Sequence, residues 1–328
     1  MEVSSSNFGR IGVLMGGPSS EREISLKSGK AVFEVLKQIG LGVTAIDIKT
    51  DNIEENTDLI KSNNINCAFI AMHGYFGEDG TIQQILENLK LPYTGSGVFA
   101  SKLAMDKIES RKIFEKNGLK VPRYKEIDKT SYFSSQLSAL SFQLGFPLVI
   151  KPATHGSSVG LSIIGREEDL DNAIASAFIF DQRAIIEEYI KGRELTVGIL
   201  DNSALPVIEI VPKKMFFDFE AKYKPGMTDY IVPAELEEGV AKKTMDAALS
   251  AHKLLGCFGC SRVDMILSED NQPCVLEVNT IPGLTSTSLL PKAAKTAGID
   301  FSDLCLTLIK LAYEPRYKHS GDGQERGL

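Results

Sequence analysis

The stretch RVDMILSEDNQPCVLEVNTIPGLTS, residues 262–286, decides which fold and which chemistry this sequence predicts. Two apolar runs, RVDMIL and CVLEVN, flank the segment SEDNQP, which is rich in turn-forming residues. Short apolar runs joined by such a segment are typical of a β-hairpin. Because side chains alternate along a strand, Glu277 and Asn279 share one face of the second strand. The hairpin therefore bears a carboxylate and a carboxamide side by side at its end.

The register of the hairpin brings further polar groups to the same face. If the turn is centred midway along SEDNQP, Asp264 lies opposite Glu277 and Arg262 lies opposite Asn279. Directly opposed side chains have Cβ atoms about 4.5–5.5 Å apart. A pairing that slipped by one residue would move these groups to the other face, so the prediction depends on this register.

Two facing carboxylates repel each other, and the sequence offers two explanations for them. In the first, they lie on a solvated sheet face or Arg262 neutralises them, although the residues around them are apolar. In the second, which those apolar residues favour, a divalent cation is bound by Asp264, Glu277 and Asn279. Ligands that are all oxygen atoms suit Mg²⁺ or Mn²⁺, whereas zinc prefers nitrogen and sulfur.

A phosphate-binding loop is the expected companion of such a magnesium site. The chain has no G-x-x-x-x-G-K-[ST] motif, which argues against a P-loop enzyme. It does have VIKPATHGSSVG, in which Lys151 leaves a strand before a loop of small residues. Gly156, Ser157 and Ser158 allow backbone N–H groups to approach phosphate oxygens. The alternative is a plain hairpin loop with a surface lysine.

The glycines of MGGPSSEREIS do not form the G-x-G-x-x-G fingerprint of a dinucleotide-binding fold, which argues against a nicotinamide-dependent oxidoreductase. Ser20 and Glu23 instead predict a capping box at the start of a helix. Glu21 remains at the carboxyl end of the preceding strand, where open α/β sheets bind their ligands. An acid in this position suits a cationic group such as a substrate ammonium, and His73 is expected in the same crevice.

Composition limits the classes of protein to consider. A chain of 328 residues is long enough for two or three domains, and its net charge of −7 argues against a nucleic-acid partner. No apolar run is long enough to span a membrane and the start does not resemble a signal peptide, so we expect no membrane association and a cytoplasmic protein. The five cysteines have no regular spacing, and Cys257 and Cys260 are expected to be buried apolar residues.

Apolar periodicity divides the chain into regions of different texture. Strands and helices alternate over about the first hundred residues, which predicts a parallel sheet covered by helices. A single helical stretch is predicted over residues 99–118, followed by an antiparallel sheet. The last third has a loop-like segment at 213–232, the hairpin, two more helices and a tail from about residue 316 that is expected to be disordered.

Taken together, these motifs resemble the D-alanine–D-alanine ligases of the ATP-grasp superfamily over about residues 10–313. The stretches that match occur in the family's order and spacing: GGPSSEREISLKSG, HGYFGEDG, LPYTGSGVFASKLAMDK, KPATHGSSVG, FFDFEAKY, RVDMIL and LEVNTIPGLTSTSLLPKAA. The resemblance implies an α/β and α+β protein with the ATP-grasp fold. It implies a Rossmann-like N-terminal α/β domain (residues 1–100), a central domain (101–190) and a C-terminal domain that grips ATP (191–328).

The resemblance also implies a reaction and its participants. ATP would phosphorylate the carboxylate of one D-alanine, and the amine of a second would attack the acyl phosphate to give D-alanyl-D-alanine for peptidoglycan precursors. Two Mg²⁺ or Mn²⁺ ions, a homodimer and a cytoplasmic location are implied. The alternatives are a D-alanine–D-lactate or D-alanine–D-serine ligase, and a nucleotide-binding module without turnover.

Roles for individual residues follow from the matching motifs. The implied metal ligands are Asp264, Glu277 and Asn279 of the hairpin. The implied ATP contacts are Lys107, Lys151 and Lys222 at the phosphates, Glu187, Glu188, Tyr189 and Ile190 at the adenine, and Glu194 at the ribose. The implied substrate contacts are Glu21 and His73 for the first D-alanine, and Ser288 and Leu289 for the second. Arg262 and the N–H of Gly283 would stabilise the oxyanion, and Glu21, Ser157 and Tyr223 would form a network that closes the site.

The sequence departs from the family pattern at a few positions. Thr287 stands where histidine is common, Phe217 where tyrosine is common, and Cys260 and Ser261 where glycines commonly precede the arginine. None of these changes removes an implied metal ligand or phosphate lysine. Tyr223, which relatives that use D-lactate lack, favours D-alanine as the second substrate.

Overall fold

Three β-sheets organise the parts of the chain that this computed structural model describes, which are residues 8–130, 143–212 and 228–315. Lys222, Tyr223 and Phe217, together with the tail from residue 316, lie outside the described residues. The expectations made for them therefore stay predictions.

The first sheet is parallel, as the alternation of strands and helices predicts, and has the strand order β2-β1-β3. Its strands and helices are β1 (Arg10–Gly16), α1 (Arg22–Gln38), β2 (Gly42–Ile48), α2 (Ile53–Ser62), β3 (Cys67–Ile70) and α3 (Thr81–Asn88). Past its first residue β1 is buried throughout, because helices and the C-terminal part of the chain cover both of its faces.

Residues 99–118 form two helices, so the prediction of a single helical stretch was wrong. These are α4 (Val98–Met105) and α5 (Lys107–Lys116). Asp106 between them has an extended backbone, and its side chain accepts hydrogen bonds from the N–H groups of Ile108 and Glu109. This N-cap starts a new helix. The break turns Lys107, the first residue of α5, towards the loop that follows Pro152, whose Ala153 carbonyl accepts the Lys107 backbone N–H.

The second sheet is antiparallel, in the order β4-β7-β5-β6, which confirms the predicted antiparallel arrangement. Its elements are β4 (Tyr124–Asp128), β5 (Leu148–Pro152), β6 (Ser162–Ile164), α6 (Leu170–Ala177) and β7 (Arg183–Glu188). The loop between β5 and β6 is the predicted phosphate loop. Strand β7 lies next to β5, so the last residues of β7 lie beside the first residues of β5.

The third sheet has the path β11-β10-β8-β12-β13, with β9 paired to β8. Its elements are β8 (Gly192–Leu200), β9 (Ser203–Ala204), β10 (Ile208–Pro212), β11 (Thr228–Ile231), α7 (Glu238–Leu254), β12 (Cys260–Ser268), β13 (Pro273–Asn279), α8 (Leu289–Thr296) and α9 (Phe301–Ala312). The segment predicted as a loop at 213–232 therefore ends in a strand. That strand is short and half-buried, and so its periodicity is weak.

The predicted hairpin is formed by β12 and β13, and its register at the site is as predicted. Asp264 pairs with Glu277 and Arg262 with Asn279. Nearer the turn, Met265 pairs with Val275, so that Leu276 is an extra residue on β13. This β-bulge shifts the register by one. Without it, Glu277 would not lie opposite Asp264.

Hydrophobic contacts cross the predicted domain limits. One core joins the first sheet to α8 and α9, so the two ends of the chain pack together. Another joins Ala104 of α4 and Phe114 of α5 to the strands of the third sheet. Each sheet lies within one of the three predicted domains, but these two cores combine residues of different domains. The domain limits at residues 100 and 190 therefore stay predictions.

The helices in the described ranges lack the combination of length and apolar character that a membrane-spanning helix requires.

Candidate active site

The polar face of the β12–β13 hairpin is held together by hydrogen bonds centred on Asp264. Arg262 donates to both oxygens of this carboxylate, from Nε to Oδ1 at 2.9 Å and from Nη2 to Oδ2 at 2.7 Å. Thr196 of β8 donates to Oδ1 at 2.6 Å, and Asn279 donates to Oδ2 at 3.2 Å. The first explanation that the sequence offered is thus confirmed in part, because Arg262 neutralises Asp264. The bound cation stays a prediction.

The donor set fits a hard divalent cation. Asp264, Glu277 and Asn279 offer two carboxylates and one amide oxygen on adjacent strands. Among the described residues, no cluster of three or more His, Cys, Asp or Glu side chains is arranged to hold a metal ion, so a site here needs the amide oxygen of Asn279. So few protein ligands are typical of a Mg²⁺ ion whose coordination shell is completed by substrate phosphates and water.

Lys107 faces this hairpin from the start of α5. Its Nζ lies 4.0 Å from Oε2 of Glu277 and donates to the carbonyl of His155 at 2.6 Å. The side chain is buried, and burial lowers the pKa of Lys107 although Glu277 opposes the shift. The structure therefore places one lysine between the hairpin and the predicted phosphate loop.

Lys151, the second predicted phosphate lysine, is paired with a buried carboxylate. Its Nζ lies 2.8 Å from Oε2 of Glu187, whose other oxygen accepts hydrogen bonds from Arg111. Burial alone would raise the pKa of Glu187, but the charges of Arg111 and Lys151 hold it below its ordinary value. Glu187 was predicted to contact the adenine, and in the structure its carboxylate forms an ion pair with Lys151.

The other predicted adenine and ribose residues follow Glu187 along the chain, from the end of β7 to β8. Glu188 is bound by Arg123, with Nε to Oε2 at 2.6 Å, and the N–H of Tyr189 donates to the carbonyl of Pro147. Ile190 lies in the short connection between β7 and β8 and is half-buried. Glu194 lies on β8, paired with Ile266 of β12. Their roles towards a nucleotide stay predictions.

The predicted phosphate loop is anchored at its start by Asp181. The N–H and the hydroxyl of Thr154 both donate to Oδ2 of this residue, at 2.8 and 2.7 Å. Ser157 and Ser158 have φ values of 53° and 59°, in the left-handed region that is unfavourable for residues other than glycine. The hydroxyl of Ser157 donates to Oε1 of Glu21. The loop is therefore strained and tied to the first sheet.

Glu21 and His73 meet at the carboxyl edge of the first sheet, as predicted. Glu21 itself is the N-cap of α1, and no side chain caps this helix, so the predicted capping box of Ser20 and Glu23 was wrong. The Ser19 hydroxyl donates to the carbonyl of His73 at 2.8 Å. Bonded to Ser157, the Glu21 carboxylate joins the first sheet to the phosphate loop.

Glu78 is a functional candidate that the analysis of the sequence missed. Its Oε1 lies 3.9 Å from Nδ1 of His73, and it lines the cleft. Burial lowers the pKa of His73, but Glu78 and Glu21 outweigh burial and raise it. The signal was available, since Glu78 stands five residues after His73 in HGYFGEDG.

The loop after β13 is fixed by hydroxyl groups. Ser288 Oγ accepts the N–H of Thr285 at 3.1 Å and lies 2.7 Å from its hydroxyl, and Thr287 lies 3.2 Å from that same hydroxyl. Nδ1 of His73 lies 2.9 Å from the carbonyl of Ile281. Gly283 lies between these two anchors, and α8 begins at Leu289.

A cleft brings several of these groups together. Among the residues that line it are Glu78, Lys107, Gly156, Glu277 and Asn279. Acidic oxygens from the hairpin, a buried lysine and a small-residue loop thus face one space. This arrangement suits a metal-bound polyphosphate.

Comparison with known proteins decides which family this site belongs to. The model of the family described as "D-ala D-ala ligase C-terminus" matches residues 113–310, and that described as "D-ala D-ala ligase N-terminus" matches residues 49–96. A D-alanine–D-alanine ligase of Pelotomaculum thermopropionicum is 46% identical, over 93% of this chain and 97% of its own length. The chain belongs to the D-alanine–D-alanine ligase family.

Solved structures of this ligase family have the same fold. The D-alanine–D-alanine ligase of Bacillus anthracis complexed with ATP has a TM-score of 0.81 and 36% identity, over 93% of this chain and 97% of that one. VanG, a D-Ala:D-Ser ligase of Enterococcus faecalis, has a TM-score of 0.81 and 31% identity, over 93% and 100%. The ATP-grasp ligase fold expected from the sequence is thereby confirmed.

In this ligase, replacing Gly283 with alanine is expected to displace Ser288, the predicted contact of the second D-alanine. The D-alanine concentration needed for saturation should then rise roughly tenfold, because a misplaced contact weakens binding. The new Cβ would lie 2.9 Å from Oγ and 3.3 Å from Cβ of Ser288, which Thr285 holds in place. Steady-state kinetics with varied D-alanine measures the effect. Gly239→Ala, whose Cβ would meet nothing within 4 Å, is the matched control; equal kinetics for both variants would contradict the prediction.

The ligase is expected to lose stability below neutral pH partly through His252. This buried histidine lies 2.7 Å, at Nδ1, from the hydroxyl of Ser261, and burial lowers its pKa to about 4. The unfolded chain binds this proton at about pH 6.5, so the free energy of unfolding falls as pH drops from about 6.5 to 4, by on the order of 3 kcal/mol. Urea unfolding at several pH values measures it. His252→Gln should flatten the curve, and a curve as steep as that of the unmodified chain would contradict the assignment.

Proposed function

We propose that this chain joins two D-alanines in an ATP-dependent reaction that passes through D-alanyl phosphate. One observation supports the proposal most strongly: Glu277 and Asn279 line a cleft together with the buried Lys107 and Gly156 of the small-residue loop, and Asp264 pairs with Glu277 on the neighbouring strand. Such a site orients a metal-bound triphosphate and neutralises the charge that is transferred with its terminal phosphoryl group.

The first step makes the carboxylate of one D-alanine reactive. A carboxylate oxygen attacks the terminal phosphorus of ATP, the bond to the bridging oxygen breaks, and ADP leaves. When bound, Mg²⁺ or Mn²⁺ neutralises phosphate charge during this transfer. Asp264, Glu277 and Asn279 would hold it, and Lys107 and Lys151 would orient the phosphates. Glu21, bonded to Ser157, would bind the ammonium of this D-alanine.

The second step forms the peptide bond. The amine of the second D-alanine attacks the acyl carbon, a tetrahedral intermediate develops a negative oxygen, and inorganic phosphate leaves. Arg262 and the N–H of Gly283 would donate to that oxygen, since preorganised donors stabilise developing charge. Ser288 at the N-terminus of α8 would bind the carboxylate of the second D-alanine.

The substrate assignment is tested by product analysis. Purified protein with ATP, Mg²⁺ and millimolar D-alanine should yield ADP, phosphate and D-alanyl-D-alanine, detected by mass spectrometry. D-Lactate and D-serine, each offered together with D-alanine, distinguish the alternative ligases by the mass of the product. D-Serine is included because a D-Ala:D-Ser ligase is among the similar structures. ATP binding without release of phosphate would instead indicate a nucleotide-binding module.

We further propose that two Mg²⁺ or Mn²⁺ ions act in the site and that the ligase is a cytoplasmic homodimer that supplies peptidoglycan precursors. The five cysteines are all free and buried, which is compatible with a reducing compartment. Light scattering of the purified protein measures its mass in solution. A mass of one chain, 35.8 kDa, would contradict the homodimer.

A further inference from the structure

Arg111 is the largest fully buried side chain of the described residues, and none of the functions above accounts for it. It lies one helical turn after Lys107 on α5, with none of its surface exposed. A guanidinium cannot lose its charge inside a protein, so its burial is unfavourable unless several acceptors surround it. Its partners therefore indicate what it does.

The guanidinium of Arg111 contacts two different sheets. Nε and Nη2 donate to Oε1 of Glu187 on β7, the former at 2.9 Å. Nη1 donates to the carbonyl of Val275 on β13. Glu187 in turn holds Lys151 through its other oxygen. One side chain thus links the strand next to Lys151 with the strand that bears Glu277.

The contact on β13 lies where the position of Glu277 is decided. This strand is the edge of its sheet, and both backbone groups of Val275 point away from β12, with its N–H donating to the carbonyl of Lys120 at 2.8 Å. The next residue, Leu276, is the bulge, and Glu277 follows it. Because bulges re-aim the side chains after them, an anchor immediately before the bulge fixes the direction of Glu277.

We propose that Arg111 is a positioning residue that holds Lys151 and Glu277 at a fixed separation, so that one metal-bound triphosphate can contact both. The proposal rests on the function proposed above for ATP, and it goes beyond that function by assigning the alignment of the two sheets to one guanidinium. Lysine is not equivalent at this position, since a single ammonium cannot reach both Glu187 and Val275 with the geometry of a guanidinium.

Binding of ATP in the absence of D-alanine tests the proposal by isothermal titration calorimetry. Arg111→Lys should raise the Kd for ATP with Mg²⁺ by about tenfold, since supports of metal ligands contribute effects of that size. It should also raise the Mg²⁺ concentration at which ATP binding is half-maximal. The KM for D-alanine, measured separately by turnover, should stay the same, because the hydrogen-bond partners of Arg111 are Glu187 and Val275 and not the predicted D-alanine contacts Glu21 and Ser288.

Arg193→Lys is the matched control. Like Arg111, Arg193 donates two hydrogen bonds to a glutamate, Glu209, and one to a backbone carbonyl, that of Glu235, but these partners do not include β13. Its Kd for ATP should match that of the unmodified chain. If Arg111→Lys lowers only the melting temperature and leaves both binding constants unchanged, Arg111 stabilises the fold alone and the proposal is wrong.

A second variant covers the case in which Arg111→Lys does not fold. Glu187→Gln keeps the shape of the side chain and removes its charge, and it should raise the same two constants; unchanged constants would contradict the proposal. The two ATP-binding constants are measured without turnover. If the unmodified chain makes no dipeptide while Arg111→Lys still weakens binding of ATP with Mg²⁺, the proposed function fails and the role of Arg111 stands.

Discussion

Asp264→Asn is expected to lower kcat for D-alanyl-D-alanine formation by about 1,000-fold, or about 4 kcal/mol of transition-state stabilisation. The substitution keeps the shape of the side chain but removes a charge from the proposed cation site. It also leaves Arg262 without the carboxylate that accepts both of its hydrogen bonds. Steady-state release of phosphate measures the loss, and raising the Mg²⁺ concentration should restore part of it.

The matched control for this variant is Asp270→Asn in the turn of the same hairpin. Asp270 is exposed and contacts Ser268 and Lys120, far along the strands from the cleft. Its kcat should stay within about twofold of the unmodified chain, since surface changes of this kind have small effects. Equal activity of the two variants would mean that the hairpin does not hold the cation.

Arg262→Lys is expected to affect the second step more than the first. Lysine keeps the positive charge but cannot donate to Asp264 and to an oxyanion in the geometry of a guanidinium. Removal of an oxyanion donor lowers kcat by about 10²–10³-fold. Formation of dipeptide should fall by this amount, while D-alanyl phosphate, trapped with hydroxylamine as the hydroxamate, should still form.

The ratio of hydroxamate to dipeptide separates this role from a general loss of activity. Asp264→Asn should lower both products together, because the phosphoryl transfer itself is impaired. For Arg262→Lys the ratio should rise. A constant ratio in both variants would contradict the assignment of Arg262 to the tetrahedral intermediate.

The hairpin site could be predicted from local sequence, although one of its determinants could not. Alternation within CVLEVN and a turn-rich segment were enough to pair Asp264 with Glu277. The bulge at Leu276 is not visible in the pattern, because an apolar residue suits either face of a buried strand. The prediction centred the turn between Asp270 and Asn271, whereas the strand pairs nearest the turn are centred on Asp270. The extra residue on β13 compensates for this difference, so the predicted register at the site is correct.

Contacts between distant segments explain what the sequence could not predict. In the sequence, Arg111 is indistinguishable from an exposed charge on an amphipathic helix. The fold brings it into contact with Glu187 and Val275, which are 76 and 164 residues away along the chain. The break at Asp106 was missed because helical periodicity continues on both sides of it. Glu187 and its neighbours could be assigned to ATP only by resemblance to the ligase family.

The most direct test of the central claim, that ATP activates the carboxylate of D-alanine, follows an oxygen atom. D-Alanine labelled with ¹⁸O in its carboxylate is incubated with the protein, ATP and Mg²⁺, and the inorganic phosphate is analysed by mass spectrometry. An acyl phosphate intermediate transfers one labelled oxygen to phosphate each time the peptide bond forms. We predict one ¹⁸O in the phosphate for each dipeptide made, and dipeptide formed with unlabelled phosphate would contradict this account.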